Sequence, residues 1–351
     1  MKVMWTVSEA GSKVMSVALA LGSNRPTRSP GLVARASCSP RAKEAFLMAK
    51  GQLRICWSRG DITPKQKTLL QGQFYARISG EVISPLTATA LALEVRGSDG
   101  TADQAVLLSC DLTGDGFKAD LLRELEGRCP GLDLHKLTVC ATHTHTAPPL
   151  ERGRYDEPRD DPEFMNPDQY REWLAGRLAE IVAAAWAGRR PGSIARGFGY
   201  AAVGRCRRAV YADGTARMYG VTDRADFVGF ESCDDHAVNM LFTRDASGQL
   251  TGIVVNLACT AQCDESLSAL SADYWHNVRE AMAERYGAGV HLLPQCAPAG
   301  DLSPHLLADR KEERDLRDRL GVDDKGIIAR RIMAAVDEGL ATAAPTEDVV
   351  V

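Results

Sequence analysis

The chain of 351 residues has no apolar run approaching the roughly 18 consecutive residues that a membrane-spanning helix requires, so it offers no transmembrane segment. It also lacks a charge excess: formal net charge is -4 and the pI is about 6.0, which gives no reason to expect nucleic acid as a partner. Its cysteines do not fall into a zinc-finger spacing. No internal repeat is present, which excludes solenoids and propellers. The short apolar run Ser16 to Leu21 follows Glu9 and Lys13 and is short for the core of a signal peptide.

What is there is the composition of a globular protein, 45% hydrophobic and 25% charged. A chain this long buries a substantial core as one large domain or two smaller ones. Ten cysteines are many. Cys110, Cys140 and Cys259 sit inside apolar strand-like runs, where a thiol acts as a small hydrophobe. Read as reduced thiols they favour the cytoplasm, while their even number also fits an oxidised, secreted form. Residues 1–47 contain a Ser/Arg/Pro-rich stretch, Ser23 to Arg41, without any period. They read as a flexible leader, or as an upstream extension of a start at Met48, with the folded domain spanning 48–351.

From residue 50 onward strand and helix signals alternate, beginning with strand Gln52 to Trp57. Ala105 to Cys110, a helix over Gly116 to Gly127 and Leu137 to Ala141 form a βαβ unit. Asn166-Pro167 opens a helix, with Asn as N-cap and Pro at the first helical position; Gly188 ends it. Its expected buried stripe is Tyr170, Trp173, Leu174, Arg177/Leu178, Ile181, Val182 and Ala185. Residues 193–250 carry turn signals at Asp213-Gly214 and Ser247-Gly248 that fit antiparallel hairpins. A second βαβ unit follows, through strand 252–258, helix 272–286 and strand 290–293, and charged helices over 306–320 and 325–340 finish the chain. The fold class is a mixed, layered α/β fold with βαβ units and an antiparallel hairpin insertion.

In such sheets ligands bind outside the carboxyl ends of the strands, and here those ends carry reactive residues. One strand ends in Asp111, the next in His143-Thr144-His145. A third ends in Cys259 to Glu265, and a fourth runs from Gln295 to Asp301-Leu-Ser303-Pro304. If the extended backbone continues through the His-x-His motif, both imidazoles leave on one face, the start of a metal site. The alternative is a pair of hydrogen-bonded turn histidines. Asp111 reads either as a site residue or as a turn cap. Ser303-Pro304 has the form of an N-cap before a helix, and a nucleophilic role for Ser303 is compatible with that placement. Asp301 orients a donor or satisfies loop amides. His276, in the first turns of a helix, reads more simply as a packed histidine. Arg205, Arg207 and Arg208 form a basic cluster suited to a solvated edge or to an anionic substrate group.

In order along the chain stand Gly60-Asp-Ile-Thr-Pro64, Ser109-Cys-Asp111, Ala141-Thr-His-Thr-His-Thr-Ala-Pro148, Gly204-Arg-Cys-Arg-Arg208, Val255-Asn-Leu-Ala-Cys259, Ser271-Ala-Asp-Tyr274 and Gln295 to Pro304. Through these motifs, across about residues 52–340, the chain resembles the catalytic domain of the neutral/alkaline (non-lysosomal) ceramidase family, in its shorter bacterial form. The resemblance implies a zinc-dependent amidase in which His143 is a metal ligand and His145 stands beside it. Ser303 becomes the candidate nucleophile or water-orienting hydroxyl, Asp111 or Asp301 give acid–base or outer support, and Arg207 and Arg208 face the substrate.

The match also departs from the family. Where the resemblance implies a second histidine ligand, this chain has Thr260. Cys259, Cys263, Glu265 and His276 are the replacements offered nearby, and His276 is the tentative second ligand. The family's Glu and Tyr ligands are expected beyond Val351, as if the domain were truncated in the strand-like Asp348 to Val351. The resulting expectation is a metal-dependent hydrolase of an amide bond in a small-molecule or lipid-like substrate, and not necessarily ceramide. The alternatives are a catalytically silent ligand-binding relative, or a metal-free serine hydrolase pairing Ser303 with His145 or His305.

Overall fold

The structure is a computed structural model. It describes residues 51–97, 100, 102–158 and 161–343, with a two-residue ladder of Thr6–Val7 against Lys13–Val14. The remainder of the 1–47 leader and the strand-like end at 348–351 lie outside the described residues.

Eight strands make the principal sheet: β1 (Gly51–Asp61), β2 (Thr87–Gly97), β3 (Ala102–Cys110), β4 (Leu137–Ala141), β5 (Arg190–Tyr200), β6 (Ala237–Asp245), β7 (Leu250–Leu257) and β8 (His291–Cys296). Their order is β8-β7-β6-β5-β1-β2-β3-β4. The interior pairs are antiparallel, and the two edge pairs, β3 with β4 and β7 with β8, are parallel. Both expected βαβ units are therefore present, one at each edge. They close through α1 (Lys118–Leu125) and α3 (Tyr274–Tyr286). The antiparallel insertion is present too, with a three-stranded sheet of 208–211, 216–218 and 227–230.

The two halves of the sheet meet at β1 and β5, joined by only the pairs Arg54↔Pro191 and Ile55↔Arg190. At this narrow seam the sheet folds over so that its halves face each other. The side-chain alternation along each strand shows this directly. On β2, Ala88, Ala90 and Ala92 join an outer core with Leu174, Leu178 and Val182 of α2 (Pro167–Ala187). The residues between them, Leu91 and Leu93, pack inward with Trp57, Val254 and Leu293. On β6 and β7, Met240, Phe242, Ile253 and Val255 face α3 and α5 (Asp324–Thr342). The result is four layers, helix–sheet–sheet–helix, with both faces of each half-sheet buried. Pro294 of β8 touches the far half, its carbonyl accepting a hydrogen bond of 2.5 Å from Ser109 of β3.

Helix α2 begins as its sequence dictates. The Asn166 side chain accepts from the Gln169 N–H, and Gln169 accepts in return from the Asn166 N–H, a reciprocal cap with Pro167 at the first position. Such a cap contributes about 1 kcal/mol. Gly188 follows the last helical residue, and packing requires glycine there: a Cβ would lie 2.6 Å from the Cys56 sulfur. Trp173, expected in the buried stripe, is 38% exposed instead. It sits next to Tyr170 at the helix edge, ring centroids 5.8 Å apart. The terminal charged helices are α4 (Arg310–Leu320) and α5. The nine cysteines of the described residues are all free thiols. Among those residues no helix is long and apolar enough to cross a membrane.

Candidate active site

β4 ends at Ala141, and the Thr142 N–H still donates to Cys110 of β3. The extended backbone then breaks, because His143 adopts φ 58, a left-handed conformation unusual for a non-glycine residue. The histidines therefore do not share a face by simple continuation of the strand, as the sequence led us to expect. They still converge, with ring centroids 5.1 Å apart at 62°. The intervening threonines turn the other way. Thr142, Thr144 and Thr146 are fully buried, and the hydroxyls of Thr144 and Thr146 both donate to the Ser271 carbonyl at 3.0 and 2.9 Å. Apolar run and threonine ladder thus pin the turn from below while the imidazoles project from it.

Neighbouring segments fix the motif on its other sides. The His145 N–H donates to the Ala261 carbonyl, and the Ala261 N–H to the Thr142 carbonyl, lacing the motif to the segment after β7. Arg77, buried, donates to the carbonyls of His145, Gln71 and Leu267 at 2.6, 3.0 and 2.6 Å. Gly72, at φ +119, lies so close that a Cβ would stand 2.4 Å from the His145 Cβ. Glycine alone meets both demands.

Above the motif lies a cavity of about 1000 Å³. His143, His145, Arg207, Gln262, Glu265 and Tyr219 are on its wall, with the amides of Asn239, Asn256 and Gln295. His143 Nδ1 stands 2.7 Å from the Thr113 carbonyl, so that nitrogen carries the proton and Nε2 keeps its lone pair. Burial, then the His145 ring and the Arg207 charge, lower the His143 pKa to about 4. This imidazole is neutral at ordinary pH. Glu265 bridges two other rings: Oε2 is 3.2 Å from His145 Nδ1 and Oε1 is 3.0 Å from His305 Nε2. Burial pushes the Glu265 carboxyl up, but the hydrogen bonds to His145 and His305 outweigh it and hold it well below the carboxylate range. Gln262 closes the array, its amide nitrogen donating to Glu265 Oε2 at 3.0 Å and its oxygen accepting from the Thr260 hydroxyl.

Of the residues expected at the site, His143, His145 and Arg207 line this cavity. Arg207 is aimed by its Nη2 donation to the Gly300 carbonyl at 2.7 Å and by its N–H donation to the Asp301 carbonyl at 2.9 Å. The others lie elsewhere. Asp111 is fully buried, paired with Arg279 at 2.8 and 3.0 Å, and accepts from the Thr87 N–H. Asp301 accepts from the Ser232 hydroxyl. Arg208 faces solvent in an ion pair with Glu231. His276 pairs along its own helix with Glu280 at 3.4 Å and does not reach the cavity. Ser303 caps no helix: it pairs in a short ladder with Arg205, is fully buried, and its hydroxyl accepts from the His305 N–H, while α4 starts only after Asp309. Pro304 satisfies the sequence pattern of a helix start, but the chain makes a strand ladder and a turn first. Tyr219 had no signal in the sequence, and Gln262 stood only within the polar segment Cys259 to Glu265. Glu265 did, as one of several polar residues at its strand end.

The donor set does not make a closed zinc site. His143 has the outer hydrogen bond of a metal-ligating histidine, yet no group of three or more His, Cys, Asp or Glu side chains among the described residues converges to hold a metal. At the position of the implied second ligand, the Thr260 hydroxyl is committed to Gln262.

Helix–sheet–sheet–helix layering with a cleft at the carboxyl ends of the parallel edge pairs defines a four-layer α/β sandwich. The crystal structure of neutral ceramidase from Pseudomonas aeruginosa aligns with 83% of this chain and 45% of its own, with a TM-score of 0.62 and 17% identity. A ceramidase structure complexed with C2 aligns over 83% and 44%, with a TM-score of 0.61 and 17% identity. The chain thus shares their fold and spans less than half their length. No protein-family model and no curated protein matches it.

Proposed function

We propose that the chain is a hydrolase that cleaves an amide (C–N) bond in the cavity above the His143-Thr144-His145 turn. The observation that carries this reading is the His145–Glu265 pair. A half-buried carboxylate facing Nδ1 of a ring on the cavity wall is the arrangement that orients a general base. The ionised Glu265 favours the tautomer with the proton on Nδ1, which leaves Nε2 to take a proton from water. That water attacks the amide carbonyl, Arg207 stabilises the oxyanion that forms, and His145 returns the proton to the departing nitrogen as the C–N bond breaks. Neutral His143 offers Nε2 as a second acceptor that fixes water or substrate. The buried Ser303 has no part in this scheme.

The shared ceramidase fold supports the reaction class. Incubating the purified chain with a panel of N-acyl amino acids and N-acetylated sugars, and measuring released amine, tests the proposal. Release that disappears in His145→Asn is expected. One zinc per chain, lost on His143→Ala, would instead establish the metal-dependent reading that the family resemblance implies and displace His145 as base. The Thr260–Gln262 contact at the implied ligand position favours, as a second reading, a relative that binds without cleaving. Saturable binding of the same compounds with no amine released from any of them would establish it.

A further inference from the structure

Beside the first cavity lies a second, of about 600 Å³, and the two share the wall formed by Tyr219 and Glu265. Tyr219 is one of few non-glycine residues held at positive φ, here 54, and its ring stands edge-on to His305 at 5.8 Å. A strained aromatic at the divide between two cavities is held there by its surroundings, at a cost. One face of α4 supplies the far side: Arg310, Arg314 and Arg317, spaced four and three residues apart, all line the second cavity.

The carboxylates of this cavity are engaged away from two of its three arginines. Glu313 is spent on Arg331 at 2.7 and 2.9 Å, Asp324 pairs with Arg317, and Glu265 is held between His145 and His305. Arg310 uses its Nε on the Leu306 carbonyl and has no carboxylate partner among the described residues. Arg314 has no side-chain partner among the described residues. Two guanidinium groups one helical turn apart, both open to the cavity, are thus left uncompensated. Their planar forks suit a carboxylate or a phosphate.

We propose that the second cavity is an anion subsite, and that the substrate is an amide carrying a carboxylate or phosphate which Arg310 and Arg314 hold while the amide lies at His145. The proposal rests on the hydrolase reading for the second half of that statement only; anion binding stands by itself. Isothermal titration of the full chain at low ionic strength with N-acetylglycine, inorganic phosphate and the neutral N-acetylglycinamide tests it. An anion binding at least tenfold more tightly than the neutral amide is expected, and which of the two anions binds identifies the source of the negative charge. Arg310→Gln/Arg314→Gln, at exposed positions, removes that preference, whereas His145→Asn keeps it. Equal binding of anion and neutral amide, or an anion preference unchanged in the double variant, overturns the subsite. Anion binding without hydrolysis of any substrate sinks the hydrolase reading and leaves the subsite standing.

Discussion

Two neighbouring strand ends show what separates a reactive residue from a structural one. β3 and β4 run parallel and in register, Cys110 beside Ala141, and each is followed by a polar residue that the sequence offers as catalytic. At the end of β3, Asp111 has every oxygen occupied, by Arg279 and by the Thr87 N–H, with no exposure at all. At the end of β4, His143 and His145 each spend Nδ1 on the protein and turn toward a cavity. Both strand ends are followed closely by titratable side chains. The difference lies in whether a side chain's hydrogen-bonding capacity is exhausted by the fold, and that is decided by residues far away in sequence.

The contrast can be broken by mutation. Arg279→Ala strands the Asp111 carboxylate in the core, and loss of one partner of a buried ion pair costs about 3–5 kcal/mol. Urea unfolding should show this loss, with ligand binding at the cavity unchanged in the molecules that remain folded. A cost below about 1 kcal/mol would mean that Asp111 is less committed than its geometry indicates.

The next effect is a pH dependence. The His143 pKa is lowered to about 4 in the folded chain, against about 6.5 for an ordinary imidazole. The unfolded chain therefore binds this proton first, so stability is unaffected above pH about 6.5 and falls as the pH drops toward 4. The total is at most about 3 kcal/mol, from 1.36 kcal/mol per pKa unit. His143→Asn should flatten that part of the stability curve. His291, likewise lowered to about 4 by burial, keeps its own share in both proteins. Identical acid slopes in the two would show that His143 does not titrate as described.

The smallest effect concerns the threonines beneath the turn. Thr144→Val removes one of two hydroxyl donors to the Ser271 carbonyl and should cost about 1 kcal/mol. Because Thr146 still holds that carbonyl, thermal melting should shift only slightly. A loss of several kcal/mol would mark the threonine ladder as a principal support of the motif.

Much of the fold was legible because it is written in local patterns. Asn166-Pro167 and Gly188 bound their helix as expected, and both βαβ units follow from apolar runs whose length and spacing admit little else. The folding of one sheet into two facing layers was not legible. It depends on how few pairs join β1 to β5, which no local period encodes. At the site, His143, His145 and Arg207 line the cavity, whereas Ser303, Asp111 and His276 lie off its wall. Ser303-Pro304 carries a genuine capping signal, but tertiary pairing with Arg205 and Cys206 takes the segment into a ladder instead. The role of Glu265 depends on two histidines 120 and 40 residues away, 265 − 145 and 305 − 265 in chain position. A single sequence does not reveal such a meeting.

The most direct measurement of the central claim is the rate of amine release from an N-acyl amino acid by the wild-type chain and by His145→Asn, with folding verified by identical melting curves. General acid–base catalysis by a positioned side chain contributes about 10²–10⁴-fold, and a loss of that order is expected. A variant that folds normally and retains the wild-type rate would contradict it.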